Sequence, residues 1–468
     1  MKEPRWKTIT PSEYEWERSA LDFLRERLPD HEPYRAWSNF EFQTPVGAIY
    51  ECDLLVLTKA GFWLVEIKSF PGDLRGDTTT WTITHDGRTR SIENPLLLTN
   101  RKAKALSSLL KRQKSAKKIA FPFLEAVVFL SSEQLNCQLD ELGRNRIFLR
   151  DVENKHGDDR PGIREALVNR RGAGLREYPS SRIDTKVAKA LVHAVDEAGI
   201  RHSPKARKVG DYELRDLLEE GPGYQEWFAE HATLKGIYSR VRQYLVADAA
   251  NEEERRRLQR AAVREFKTLQ NLDHPGILSV RDYKDAERGP AVLFHYEKDA
   301  VRFDHFIAAR WGDLTIDQKL DLFRQLVFAV RFVHGKKVVH RSLSPQSIVV
   351  FHPDSKEPQL KIAHWQLAVR QDGGTAHATA SGTTTVDALV EAQSMVFLAP
   401  ECRSVRDVTE AADVFSLGAL AYLLFAGRPP AMNATALAKK LHDDQGLKLS
   451  AALDGVGAEL EEMVREAT

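Results

Sequence analysis

Two apolar runs separated by a tight turn constrain this chain more than any other feature. Asp53-Leu-Leu-Val-Leu57 and Phe62-Trp-Leu-Val-Glu-Ile-Lys68 are rich in β-type residues and flank Lys59-Ala-Gly61, a Gly-bearing turn. The pattern predicts two neighbouring strands. Side chains alternate across a strand, so Glu66 and Lys68 share one face while Ile67 enters the core. The turn brings Asp53 toward Glu66, and two carboxylates and an ammonium then share one small site. Oxygen donors of this kind suit Mg²⁺ (or Mn²⁺), and the lysine can orient a water or offset charge developing on a phosphodiester.

The flanking segments read as a mixed α/β domain over residues 1–153. Glu13 to Leu28 carries Trp16, Ala20, Phe23, Leu24 and Leu28 at helical spacing, which predicts an amphipathic helix. Phe40-Glu-Phe42 and Trp81-Thr-Ile-Thr84 read as further strands, and Ala126-Val-Val-Phe-Leu-Ser131 as a buried one. Before the last of these lies a basic helical stretch. Arg101, Lys102, Lys104, Lys111, Arg112, Lys114, Lys117 and Lys118 occur there without an acidic residue between them. Such a run either tracks a nucleic-acid backbone or is a plain solvated face. Residues 154–208 have loop composition, with one predicted helix from Asp184 to Ala198, and are expected to form a linker.

At 468 residues the chain is too long for one ordinary core. Its formal net charge is +1, so no global field draws it to DNA or to anionic membrane, and any DNA contact must be local. The three cysteines, Cys52, Cys137 and Cys402, lack metal-ligand spacing, which argues against zinc and for a reducing, cytoplasmic setting. The N-terminus has no apolar signal-peptide core and no run is suited to span a bilayer, so no membrane partner is expected.

From Tyr212 the pattern changes to a few strand-like segments followed by long helical ones, as in an α+β two-lobe domain over 209–468. The last segment, Ala458 to Thr468, stops without a cap, which leaves the expectation of a longer parent and a truncated C-terminal lobe.

Both halves resemble known families. Tyr50-Glu-Cys-Asp53, Val65-Glu-Ile-Lys68-Ser-Phe-Pro-Gly72 and Asn94-Pro95 resemble the nuclease-related domain (NERD), a branch of the PD-(D/E)xK nuclease fold. The resemblance implies Asp53 and Glu66 as metal ligands, Lys68 as the catalytic lysine and Glu17 as the acidic residue of the first helix. The second half resembles Ser/Thr protein kinases through Gly221-Pro-Gly223, Arg264-Glu265, His274-Pro-Gly-Ile277, His340-Arg341, Leu360-Lys-Ile-Ala363, Ala399-Pro-Glu401 and Asp413-Val-Phe-Ser-Leu-Gly418.

The catalytic positions of that second family are altered. Ser342 stands where the family has its aspartate base, Ser347 where it has the loop asparagine, and His364 where it has the metal-binding aspartate. Glu226 replaces the third glycine, which predicts a carboxylate over any bound triphosphate, and Arg242 with Glu265 are candidates for the strand-helix ion pair. This resemblance therefore implies a pseudokinase with a degenerate nucleotide site and no use for ATP. Together the halves resemble the large nuclease-and-kinase proteins of bacterial phage growth limitation and BREX defence systems. The expected function is a metal-dependent DNA endonuclease or nickase, docked or regulated through the pseudokinase and partnered by other defence proteins. The alternatives are a DNA-binding scaffold without cleavage and an atypical kinase.

Overall fold

The computed structural model describes residues 1–12, 14–44, 48–151, 160–177, 183–200, 208–246, 251–286, 288–370, 389–403 and 409–468. Glu13 and the Gly157-Asp-Asp run of the expected linker lie outside the described residues. The chain divides into two compact units, Met1–Pro204 and Lys205–Thr468.

In the first unit the strands are β1 (Trp6–Thr8), β2 (Arg35–Gln43), β3 (Ile49–Thr58), β4 (Gly61–Lys68), β5 (Gly72–Gly76), β6 (Thr80–His85), β7 (Arg88–Glu93), β8 (Leu124–Leu130), β9 (Leu135–Cys137) and β10 (Ile147–Phe148). The helices are α1 (Glu15–Arg27), α2 (Pro95–Lys111), α3 (Ile163–Asn169) and α4 (Thr185–Glu197). A mixed sheet runs β1-β2-β3-β4-β8-β10, and a second sheet runs β7-β6-β5-β9. Strand β4 lies at the centre of the first sheet, antiparallel to β3 and parallel to β8. Helices cover both of its faces, which is why Phe62 through Ile67 are all buried and the run is apolar but for Glu66. On one face α1 and α3 pack over Leu54, Val56, Trp63, Val65 and Ile67. The other face carries Glu66 and Lys68, and α2 packs there.

Two expectations change here. Within the expected linker, the described residues 160–177 belong to the first unit's fold, because Ile163, Ala166 and Leu167 of α3 enter the first core. Thr58 Oγ1 donates to Leu167 O at 2.7 Å, and Arg170 reaches the buried Glu125 at 2.8 Å, so the segment is fastened to the sheet. Trp16, expected on the apolar stripe of α1, is 40% exposed and stacks on Tyr14. The stripe is instead Ala20, Leu21, Phe23 and Leu24.

The second unit opens with β11 (Lys208–Val209), β12 (Tyr212–Gly221), β13 (Tyr224–His231), β14 (Tyr238–Tyr244), α5 (Glu252–Leu269), β15 (Val280–Ala286) and β16 (Gly289–Phe294). These strands form one antiparallel sheet, β11-β12-β13-β14-β16-β15, against which α5 packs. There follow β17 (Val301–Arg302), α6 (Phe303–Arg310), α7 (Ile316–Gly335), β18 (Val338–Val339), β19 (Ile348–Phe351), β20 (Gln359–Ile362), β21 (Val369–Arg370), α8 (Ala411–Ala426), α9 (Ala434–Asp444) and α10 (Ala458–Ala467). Helix α8 is buried almost all round and forms the centre of the helical part. A Cβ on Gly418 would lie 2.8 Å from Ala467 Cβ, so glycine permits the close crossing of α8 by α10. Among the described residues no helix is long and apolar enough to cross a membrane.

Candidate functional site

The pairing of β3 with β4 holds Leu54 opposite Val65, which leaves Asp53 one step further along, beside Glu66. There the ladder is continued by a side chain: Ile67 N donates to Asp53 Oδ2 at 2.6 Å. Lys68 Nζ donates to Glu66 Oε1 at 2.8 Å. The three residues expected from alternation are therefore together.

A fourth group joins them that the sequence reading had assigned elsewhere. Lys102 Nζ lies 2.7 Å from Glu66 Oε2, and the residue is buried. This corrects the expectation that Lys102 belongs to an outward basic run. Helix α2 begins at Pro95, capped by Asn94 Oδ1 on Leu96 N, and ends at Lys111 rather than running from Arg101 to Lys118. Its buried stripe is Thr99, Lys102, Ala103, Leu106 and Leu110. Lys102 sits on an apolar face at i, i+3 and i+4 spacing, and that signal was present in the sequence. Lys104, Lys111, Arg112, Lys114, Lys117 and Lys118 are exposed, while Arg101 is half-buried and pairs with Glu93 at 3.6 Å. Glu17 is half-buried on α1, where its carboxylate accepts from Ser12 Oγ. No contact among the described residues joins Glu17 to Asp53 or Glu66.

The charges of this site differ sharply in strength. Burial, and then the neighbouring Glu66, push the Asp53 carboxyl up to about 7. Burial also works against the Glu66 carboxylate, yet Lys102 and then Lys68 outweigh it and hold the group at about 2. The Lys68 and Lys102 ammonium groups are in turn held above the usual lysine range, because the carboxylates more than offset burial. Asp53 and Glu66 supply hard oxygen donors, and two protein carboxylates are the number that Mg²⁺ commonly takes. The donor set fits such an ion.

In the second unit the degenerate positions also converge. Glu226 stands opposite Arg242 in the β13–β14 register. It does not lie over a triphosphate space as expected, because it turns inward, where Arg240 Nε donates at 2.8 Å and Arg242 Nε at 3.0 Å. Arg242 Nη1 then reaches Glu265 Oε1 of α5 at 2.6 Å, and Glu265 also accepts from Tyr244 OH and from Trp365 N. Glu226, Arg242, Glu265, Tyr244 and Trp365 are all withdrawn from water, and two arginines face the two glutamates of this network, while Arg240, partly exposed, also reaches Glu219.

Tyr224 fills the space between this network and His364. Its ring lies 4.7 Å from the Arg242 guanidinium and 5.9 Å from the His364 ring, and its hydroxyl donates to Glu219 Oε1 at 2.9 Å. The glycine turn is folded against α5: at Gly223, φ is +80° and a Cβ would lie 2.3 Å from Leu258. A Cβ at Gly221 would lie 2.2 Å from the Tyr224 ring.

Burial and the nearby Arg242, Arg240 and Arg302 push the His364 imidazole well below its usual range, so it is neutral. Glu219, Glu226 and His364 have donor atoms within 4.8 Å of one another, but arginines already hold the carboxylates, an arrangement hostile to a cation. Ser342 lies against His340, and Ser347 Oγ donates to Ser344 O at 2.9 Å, so both serines serve the loop itself. Asp413 accepts from His340 N and Arg341 N, which fastens that loop to α8.

Comparison with known proteins agrees with both architectures. The model of the nuclease-related domain matches residues 12–131, and that of the protein kinase domain matches residues 234–464. The chain is thus a nuclease-related domain followed by a protein kinase domain. It is similar over its whole length to the Probable kinase PglW of Streptomyces coelicolor, with 33% identity over 493 residues. The chain spans 30% of that relative's length. The second half is also similar to calcium/calmodulin-dependent protein kinase type 1 of Caenorhabditis elegans, 27% identical over 228 residues, covering 49% of the chain and 60% of that kinase. The corresponding kinase of Macrobrachium nipponense is 30% identical over 220 residues, covering 47% of the chain and 57% of that kinase.

Proposed function

We propose that this chain is a metal-dependent DNA endonuclease or nickase of a bacterial anti-phage system, whose kinase-fold half docks partners or regulates the nuclease without transferring phosphate. The observation that carries the reading is the meeting of Asp53, Glu66 and Lys68 at the end of the β3–β4 pairing. Asp53 and Glu66 would hold Mg²⁺ or Mn²⁺, which when bound supplies Lewis-acid stabilisation and an acidified water. Lys68 is partly open to solvent, and its ammonium would offset charge developing on a bound phosphodiester. The exposed Lys104, Lys111, Arg112 and Lys114 offer phosphate contacts along the DNA backbone. Likeness to the PglW relative over the full chain supports the defence setting and, with it, other defence proteins as partners.

For the second half, phosphoryl transfer depends on positioning and on metal-borne charge neutralisation. Ser342, Ser347 and His364 supply no carboxylate for either, and Tyr224 takes up space beside Arg242. One observation favours a second reading, DNA binding without cleavage: ammonium groups already engage both oxygens of Glu66. Incubating supercoiled plasmid with Mg²⁺ or Mn²⁺ separates the two. Nicking by the wild type that is lost in Glu66→Ala supports the nuclease, and plasmid binding without metal-dependent nicking rejects it.

A further inference from the structure

The two lysines on Glu66 are not equivalent. Lys68 keeps 31% of its side chain exposed and can turn its ammonium to water, whereas Lys102 keeps 6%. Two ammonium groups, Lys68 and Lys102, face at most two carboxylate charges, on Glu66 and Asp53, so the site has no net negative charge to attract a dication. A cation that took Glu66 Oε2 would strand the Lys102 ammonium in a place with little water to replace its partner. Unpaired buried charge is among the most costly arrangements in a protein. A phosphate resolves the conflict, because it brings a second anion to which the ammonium can pass.

We propose that Lys102 is a resident counter-cation that keeps divalent ions off the Asp53–Glu66 pair until a backbone phosphate takes over its ammonium, so that metal and DNA load together. The proposal rests on the nuclease reading for the identity of the ion and of the phosphate. Its thermodynamic signature is reciprocal: DNA raises the affinity for metal by the same factor as metal raises the affinity for DNA.

The test is a Mn²⁺ titration of the full chain, read from the electron paramagnetic resonance signal of the free ion, with and without a short phosphorothioate duplex. The wild type is expected to bind Mn²⁺ weakly alone and roughly tenfold more tightly with the duplex. Lys102→Met is expected to bind Mn²⁺ roughly tenfold more tightly without DNA and to gain little from the duplex. Lys102→Gln keeps a donor for Glu66 without the charge, guards against a Met variant that does not fold, and is expected to shift the same way. Adding Glu66→Ala to either variant must abolish the gain.

Unchanged or weaker Mn²⁺ binding in the folded Lys102 variants overturns the proposal, even where plasmid nicking shows a working nuclease. Tight binding that survives Glu66→Ala overturns it as well, by placing the ion elsewhere. Tighter Mn²⁺ binding in the Lys102 variants of a chain that never cuts DNA would leave the counter-cation standing and remove only the nuclease.

Discussion

Replacing Arg242 with methionine tests whether the strand-helix ion pair of the kinase-fold half is structural. The guanidinium lies 2.8 Å from Glu226 and 2.6 Å from Glu265, and all three side chains are fully withdrawn from water. Before the change Glu226 and Glu265 face Arg240 and Arg242. Afterwards Glu226 keeps Arg240, while Glu265 keeps only the neutral donors Tyr244 OH and Trp365 N. One buried carboxylate is then uncompensated. Breaking a buried pair in this way costs about 3–5 kcal/mol. For a unit of this size each kcal/mol lowers the unfolding midpoint by about 2–4 °C, so a fall on the order of 10 °C is expected.

Differential scanning calorimetry of the full chain should show it. Arg242→Lys should fall between, because one ammonium cannot reproduce the fork that reaches both glutamates. A double change with Glu265→Gln should cost less than the sum of the two single changes. A midpoint within about 1 °C of the wild type for Arg242→Met would refute the reasoning, since it would leave the arginine with no buried charges to hold.

Three other outcomes follow from the same geometry. Changing Lys111, Arg112 and Lys114 to glutamine should weaken DNA binding and flatten the dependence of log K on log salt by up to about 0.9 per lost phosphate contact, measured by fluorescence anisotropy; an unchanged slope would return the run to a solvated face. Burial, and then Glu226, push the Glu219 carboxyl up to about 7, so its protonated form stabilises the fold below about pH 4.5, and that contribution is lost as pH rises through about 7; Glu219→Gln should flatten this fall in urea melts. Calorimetry with ATP and Mg²⁺ should show no binding heat and radiolabelled ATP no autophosphorylation, whereas phosphate incorporation that disappears in Arg242→Lys would overturn the pseudokinase reading.

Strand periodicity is local, and it made part of the site legible in the amino-acid order. Alternation alone set Glu66 and Lys68 on one face, and a short turn was enough to bring Asp53 beside them. Composition alone does not sort the basic run. Its residues sort by helical phase, which sets Lys102 on the apolar stripe of Thr99, Ala103, Leu106 and Leu110, a spacing also present in the sequence. Helix α3 was not legible, because the loop-like composition around it conceals Ile163, Ala166 and Leu167, whose role appears only against the sheet they cover.

The sequence by itself determined the order of two folds, the grouping of Asp53, Glu66 and Lys68 in the first and the missing carboxylates of the second, because these depend on residue identity and short-range spacing. Only the tertiary structure decided which charges neutralise which. Lys102 reaches Glu66 from 36 residues away, Arg242 is shared between Glu226 and Glu265 on different elements, and Tyr224 fills the space beside His364. Each of these pairings is set by how helices pack on sheets, since a buried charge must find a partner wherever the fold brings one within reach.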